Sequence, residues 1–293
     1  MKSKYLSACM VFVLMVCSAR ANLDILVLGS SSSFSDGNES GVIQQKAFSP
    51  MNVATQLRSI LAGDPAISET VNVVVEDIYT NKTMNTYIGE GAALWSFDFR
   101  RYSLAQYYMW PDGKTNRLAN LRGDGGTNWD YVVIMEDPYI MANMPGMYAE
   151  GVNLISDEVA QGTAQLVLLA QWPENSSSWT ATNFNEIVYR AGNSGGLAVV
   201  PAGKAWSTLS PQDTSTSHPT PKGAYLAASC IYSKLFKRNA ATSSYTYNDS
   251  IADHALSVVL ANQGVSQYSG IYTNINPFQM KYLTKRYIRF NQT

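Results

Sequence analysis

Long apolar runs are absent from this sequence, apart from one near its N-terminus. That run, residues 6–16, follows Lys2 and Lys4 and precedes Ala19-Arg20-Ala21, which has the A-x-A form of a signal-peptide cleavage site. It is shorter than the ~20 apolar residues that span a bilayer. No Pro/Gly/Ser linker or internal repeat divides the rest. The sequence therefore predicts a signal peptide over residues 1–21, one domain over residues 22–293, a secreted or periplasmic protein, and no stable membrane insertion.

Cysteine and histidine are also scarce. The chain has three cysteines and two histidines, and no Cys/His or carboxylate cluster has the spacing of metal ligands. We therefore expect no metal and no cofactor. Cys9 and Cys17 belong to the predicted leader, so only Cys230 would remain and no internal disulfide can form. Cys230 lies in an apolar helical pattern, which is typical of a core residue.

Positive charge is not in surplus. Three of the 21 basic residues belong to the predicted leader, which leaves 18 basic against 22 acidic residues and a net charge of −4. A basic face that could follow a phosphate backbone is therefore not indicated, and we expect no nucleic-acid partner.

What the sequence does contain is an alternation of short apolar runs with segments of helical period. Residues 24–28, 71–78, 131–135, 165–170 and 197–200 are rich in Val, Ile and Leu, as strands buried on both faces are. This pattern predicts an α/β three-layer sandwich with about five parallel strands.

Helix signals lie between these runs. Ser49 and Pro50 are predicted as the N-cap and first residue of a helix that ends at Gly63. Further helices are predicted over 148–162, after Thr220-Pro221, over 250–262 with Ser250 and Asp253 as a capping box, and over 277–290.

A run of four serines, residues 30–33, directly follows the first predicted strand. Ligands of open parallel sheets bind at the carboxyl ends of the strands, so these hydroxyls are candidates for a site. A serine nucleophile needs a base, and the chain offers His218, in a His-Pro step, or His254, in a predicted helix. The serine run is also compatible with a plain turn or a phosphate-cradling loop, and His218 with a helix-capping or buried polar histidine. A Gly-x-Ser-x-Gly elbow is absent, which argues against the classical α/β-hydrolases.

These segments resemble blocks of the SGNH (GDSL-like) hydrolase superfamily, in particular a secreted bacterial branch whose first block reads Gly-Asn-Ser-x-Thr. Residues 29–33 are similar to the first block, 89–94 to the second, 129–137 to the third, and 218–228 to the His-Pro block. Weaker similarity extends over 168–172 and 199–206.

The resemblance implies a flavodoxin-like sheet topology and a secreted serine esterase. Ser31 would be the nucleophile, His218 the general base and Asp213 the acid that orients it, while the backbone N–H groups of Ser31 and Gly91 would bind the oxyanion. The implied substrates are small acyl esters, in particular acetyl esters of carbohydrates. Metal ligands and cofactors are not implied.

Two positions depart from the family pattern. The acid usually lies three residues before the histidine, where this chain has Ser215, and the nearest carboxylate is Asp213, five residues before. Met135 stands where the third block supplies an amide donor, and methionine cannot donate a hydrogen bond. The alternative function is therefore a catalytically impaired SGNH-like module that binds glycans.

Three further features have competing interpretations. Glu136 and Asp137 fit metal ligands or a substitute acid, but a structural role is favoured. The aromatic residues over 87–110 fit a wall that stacks on sugar rings, or buried packing. For His254 a surface or hydrogen-bonded helical position is favoured over a second base.

Overall fold

Five parallel strands form the centre of the protein. The computed structural model describes residues 22–30, 52–78, 103–109, 113–173, 180–209 and 219–262. The strands are β1 (Asn22–Gly29), β2 (Thr70–Asp77), β3 (Tyr131–Ile134), β4 (Gln165–Leu169) and β5 (Ala198–Val200). They pair in the order β2-β1-β3-β4-β5, and every pair is parallel. The predicted strand segments and the parallel α/β sheet are confirmed.

Nine α-helices cover the sheet within the described residues. They are α1 (Val53–Ala62), α2 (Leu104–Met109), α3 (Lys114–Arg122), α4 (Pro138–Asn143), α5 (Pro145–Val159), α6 (Ala181–Gly195), α7 (Ala202–Leu209), α8 (Pro221–Phe236) and α9 (Asp249–Ala261). A 3-10 turn, Ala240–Thr242, joins α8 to α9. None of these helices is long and apolar enough to cross a membrane.

The two faces of the sheet build two separate apolar cores. Ile25 and Val27 of β1 face the core formed with α1, α7, α8 and α9. Leu26 and Leu28 point the other way, into the core formed with α2, α3, α5 and α6. All four side chains are fully buried, because successive residues of a strand point to opposite faces and both faces are covered. The three-layer prediction is therefore confirmed.

Two predicted helix starts are wrong by a few residues. The N-cap of α1 is Asn52, whose Oδ1 accepts from the N–H of Thr55 at 2.8 Å, and the helix begins at Val53 instead of Pro50. The N-cap of α9 is Asn248, whose Oδ1 accepts from Ile251 at 3.1 Å, so Ser250 lies inside the helix. Asparagine caps as well as serine does, and both Asn52 and Asn248 have the extended backbone that a cap requires.

Two other helix ends follow the sequence signals. Gly63 ends α1, with its N–H bonded to the carbonyl of Ser59 at 3.0 Å. Thr220 caps α8, where its Oγ1 accepts from the N–H of Gly223 at 3.2 Å and Pro221 takes the first helical position. The predicted leader and the helix predicted over 277–290 lie outside the described residues.

Candidate active site

The four predicted catalytic and oxyanion residues, Ser31, Gly91, Asp213 and His218, lie outside the described residues. The structure does describe the chain neighbours of two of them. Ser30 precedes Ser31, and Pro219 follows His218. The positions of these neighbours show which part of the fold the two predicted residues adjoin.

Ser30 lies at the carboxyl end of β1, at the point where the strand order reverses. From β1 the chain passes to β2 on one side of the sheet, and β3 then pairs with β1 on the other side. Such a switch point opens a crevice at the carboxyl edge of a parallel sheet, where ligands of α/β proteins bind. The strand end is fixed on both sides, because Gly29 accepts from Ile78 at 3.0 Å and Leu28 accepts from Met135 at 2.9 Å. Ser30 itself is fully buried.

The direction of α8 brings Pro219 to the same edge. At the far end of this helix the ring of Phe236 lies 6.0 Å from that of Tyr131, the first residue of β3, so α8 ends at the amino edge of the sheet. At its start, Gly223 packs directly on Trp206, such that an added Cβ would lie 2.3 Å from Cη2 of the indole. Trp206 in turn stacks on Trp172, which follows β4, with ring centroids 3.8 Å apart. The start of α8 therefore adjoins the carboxyl edge.

Met135 does not face a polar site. Its side chain is fully buried in the apolar core that α1 and α8 form on the sheet. The resemblance to the third block implied an amide donor at this position, which methionine cannot supply. The structure instead gives the thioether a packing role, so an amide introduced here would enter the core.

Glu136 and Asp137 are buried and not arranged as a metal site. The carboxylate of Glu136 accepts from the N–H of Leu104, at 3.1 and 3.3 Å, and from the N–H of Asp137 at 2.9 Å. It thereby satisfies the first backbone donor of α2. Burial raises the pKa of Glu136 well above 4.5, although its backbone hydrogen bonds act in the opposite direction. Among the described residues, no group of three or more His, Cys, Asp or Glu side chains is placed to hold a metal ion.

Gln171 is a polar residue at this edge that the sequence analysis did not select. It follows β4 by two residues, is 1% exposed, and has no hydrogen-bond partner for either atom of its amide within the described part of the chain. The indole N–H of Trp206 is likewise buried without a partner there. The sequence alone does not show that a glutamine after a strand is buried or unpartnered, because both properties depend on tertiary contacts.

The remaining candidates have structural roles where the structure describes them. Tyr107 is 5% exposed and its hydroxyl donates to Glu76 at 2.5 Å, so this ring of the aromatic segment packs inside the fold. Nε2 of His254 lies 3.1 Å from the carbonyl oxygen of Ala205, which confirms a hydrogen-bonded helical histidine. Cys230 is fully buried, and burial raises the pKa of its thiol, as expected of a core residue.

Comparison with known proteins gives matches among solved structures only. No family model and no curated protein matches the chain. Similar solved structures include SGNH hydrolases and GDSL-like lipases or esterases. Within the described residues the protein itself has an α/β fold built on one parallel sheet of five strands.

Three of these structures illustrate the degree of similarity. A candidate SGNH hydrolase from Slackia heliotrinireducens is 16% identical, with 73% of this chain and 99% of that chain covered and a TM-score of 0.46. A DUF4886 family protein from Bacteroides uniformis is 15% identical, with 84% of this chain and 97% of that chain covered and a TM-score of 0.49. The psychrotrophic esterase EstA from Pseudoalteromonas sp. is 14% identical, with 73% of this chain and 97% of that chain covered and a TM-score of 0.43. At such identities the similarity concerns the fold and leaves the chemistry to be argued from the residues.

Proposed function

We propose that the protein is a secreted serine esterase that hydrolyses small acyl esters, with Ser31 as nucleophile and His218 as general base. One observation carries the proposal. Ser30 lies at the carboxyl edge of the sheet and the start of α8, just after Pro219, adjoins the same edge. The chain therefore approaches one crevice from two points 189 residues apart, and each point is next to one half of a nucleophile–base pair.

The proposed reaction follows from these two groups. The Oγ of Ser31 bonds to the acyl carbon while His218 removes the hydroxyl proton, and the carbonyl electron pair moves to oxygen. The backbone N–H groups of Ser31 and Gly91 bind that oxyanion. When it collapses, the alcohol leaves with the proton from His218, and water then cleaves the acyl-enzyme by the same steps in turn. Asp213 orients the imidazole.

Acetyl esters of carbohydrates are the proposed substrates. Support comes from the predicted export signal and from the resemblance of the sequence blocks to secreted esterases. An acetyl group also needs no large acyl pocket, so a nucleophile, a base and oxyanion donors are sufficient for its hydrolysis. The substrate preference is therefore tested by comparing acetyl with butyryl esters, and sugar acetates with simple aryl acetates.

A second candidate is a glycan-binding module with an impaired site. It is favoured by Met135, which lies in the core and provides no donor, and by Ser215 at the usual position of the acid. In this case the protein would bind acetylated glycans without releasing acetate.

The decisive experiment combines labelling with turnover. A fluorophosphonate should modify Ser31 in the purified protein, and 4-nitrophenyl acetate should be hydrolysed. Ser31→Ala and His218→Ala should each reduce kcat on the order of 10⁴-fold or more. His254→Ala is the matched control, because the second histidine bonds to Ala205, and it should keep most of the activity. Protein that binds acetylated glycan but is neither labelled nor active would establish the second candidate instead.

Asp213→Asn tests the proposed acid. A neutral amide cannot stabilise the imidazolium, so kcat should fall by several orders of magnitude if Asp213 orients His218. An unchanged rate would indicate a Ser31–His218 dyad or another acid.

A further inference from the structure

We propose that the side-chain amide of Gln171 is an oxyanion donor of this site, in the role that Met135 cannot perform. The inference rests on the proposed esterase function and assigns one further catalytic residue to it. It starts from the position of Gln171 at the edge of the sheet.

The strand register places Gln171 just beyond Ser30. Leu28 of β1 is level with Ile134 of β3, which is level with Leu168 of β4. Two residues further along each strand, Ser30 is therefore level with Ala170, and Gln171 is the next residue. Neighbouring strands lie about 4.8 Å apart, so β4 is about 10 Å from β1, with only the end of β3 between them. A long side chain after β4 can reach over that end. Met135, one residue beyond the pair Ile134–Leu168, lies two residues before the level of Gln171 and turns into the core.

The amide of Gln171 has no hydrogen-bond partner among the residues that the structure describes, although a buried amide needs one. Both of its polar atoms are buried, and neither has a hydrogen-bond partner within the described part of the chain. An unpaired buried amide destabilises the folded protein, because it has lost its hydrogen bonds to water. The unpartnered indole N–H of Trp206 lies in the same region, since Trp206 stacks on Trp172, the residue after Gln171. Within the described part of the chain both donors therefore lie near this edge without an acceptor, as expected of a donor that a ligand oxygen completes.

The backbone that carries Gln171 is held rigidly. The N–H of Gly203 donates to the carbonyl of Ala170 at 2.7 Å, and a Cβ on Gly203 would lie 2.0 Å from the carbonyl oxygen of Gln171. Only glycine permits this approach of α7 to the end of β4. A fixed donor shielded from water stabilises developing charge most effectively, because it does not have to reorganise during the reaction.

In the proposed step Gln171 transfers no proton. As the Oγ of Ser31 bonds to the acyl carbon, the carbonyl electron pair moves to oxygen, and Nε2–H of Gln171 donates a hydrogen bond to that oxyanion. When the carbonyl re-forms, the pair returns, the C–O bond to the alcohol breaks, and His218 protonates the leaving oxygen. Gln171 acts again when water attacks the acyl-enzyme.

The test is Gln171→Met, which keeps the length of the side chain and removes both amide groups. On 4-nitrophenyl acetate kcat should fall roughly 10²- to 10³-fold with little change in KM, as expected for the loss of one oxyanion donor. The melting temperature should stay the same or rise, since an unpaired buried amide is removed. A catalytic loss without a stability loss is a result that a purely structural glutamine would not give.

Ser233→Ala is the matched control. Ser233 is also buried, and its hydroxyl has no partner among the described residues, but it lies on α8 one turn before Phe236, at the amino edge. Both kcat and melting temperature should be nearly unchanged there. If Gln171→Met does not fold, Gln171→Leu replaces it in the same assay, and kcat is compared only for protein that is folded at the assay temperature.

Each outcome separates this inference from the proposed function. Wild-type protein that is neither active nor labelled by a fluorophosphonate overturns both. Active wild-type protein with an unimpaired Gln171→Met variant overturns the role of Gln171 alone. A variant that keeps kcat but melts at a lower temperature would show that the amide has a structural partner, such as a buried water.

Discussion

Replacing Gly223 by alanine sets two effects of opposite sign against each other. Gly223 is the third residue of α8, and in a solvent-exposed helix the change from glycine to alanine would stabilise the protein by about 0.8–1.0 kcal/mol. Here the new Cβ would lie 2.3, 2.8 and 2.9 Å from three carbons of the Trp206 ring. That ring is 1% exposed and stacked on Trp172, so it cannot move aside.

The steric effect should win. Overpacking of a filled core costs typically 1–3 kcal/mol, and contacts this short on a rigid ring belong in the upper part of that range. The net change should be a loss of about 1–2 kcal/mol, which lowers the melting temperature by about 2–4 °C per kcal/mol. Thermal melting followed by circular dichroism measures it. Because α8 begins three residues after His218, the proposed kcat should fall as well.

A double-mutant cycle provides the control. Trp206→Phe removes the part of the indole that meets the new methyl group, so Gly223→Ala should cost less in that background than in the wild type. A Gly223→Ala protein that is more stable than wild type would refute the reasoning, because helix propensity would then outweigh a contact that the packing of α8 on α7 makes unavoidable.

The remaining predictions concern the two residues that follow β3. Met135→Gln should lower the free energy of unfolding in urea by about 1–3 kcal/mol and should not raise turnover, because the amide enters an apolar core. The control Met135→Leu should lower it by less than about 1.5 kcal/mol. A gain in esterase rate in Met135→Gln would contradict the core position. For Glu136, the raised folded-state pKa means that the folded protein keeps a proton that the unfolded chain releases above pH 4.5, so stability should decline as pH rises from there. Glu136→Gln, which keeps an acceptor for the N–H of Leu104, should flatten that decline, and superimposable pH profiles of the two proteins would contradict a raised pKa.

Local sequence pattern was sufficient to predict the sheet. Each strand has a continuous run of Val, Ile and Leu, and that is what burial on both faces of a parallel sheet requires. The helix caps were harder, because Ser49 and Asn52 are equally good capping residues, and the choice between them depends on where the chain leaves β1 for α1. Pro221 and Gly63 predicted their helix ends correctly, whereas Pro50 gave the same kind of signal three residues before the observed start of α1.

The site was only partly accessible to sequence reasoning. The serine run and the His-Pro step were recognisable because they adjoin a strand end and a helix start, features that local pattern reveals. The resemblance to the third block assigned Met135 to a donor position, but that resemblance does not show which layer of helices the side chain meets. Gln171 was missed for the related reason that an unpartnered amide is a property of its surroundings and not of the residue.

The central position of β1 has a consequence for how the protein would lose activity. β1 pairs with β2 along its whole length and with β3 along four of its eight residues, so its amide protons should exchange with deuterium among the slowest in the chain. The strand that leads to Ser30 cannot detach without breaking its hydrogen bonds to both β2 and β3, which amounts to global unfolding. Heat inactivation should therefore coincide with the cooperative melting of the whole domain and should not precede it.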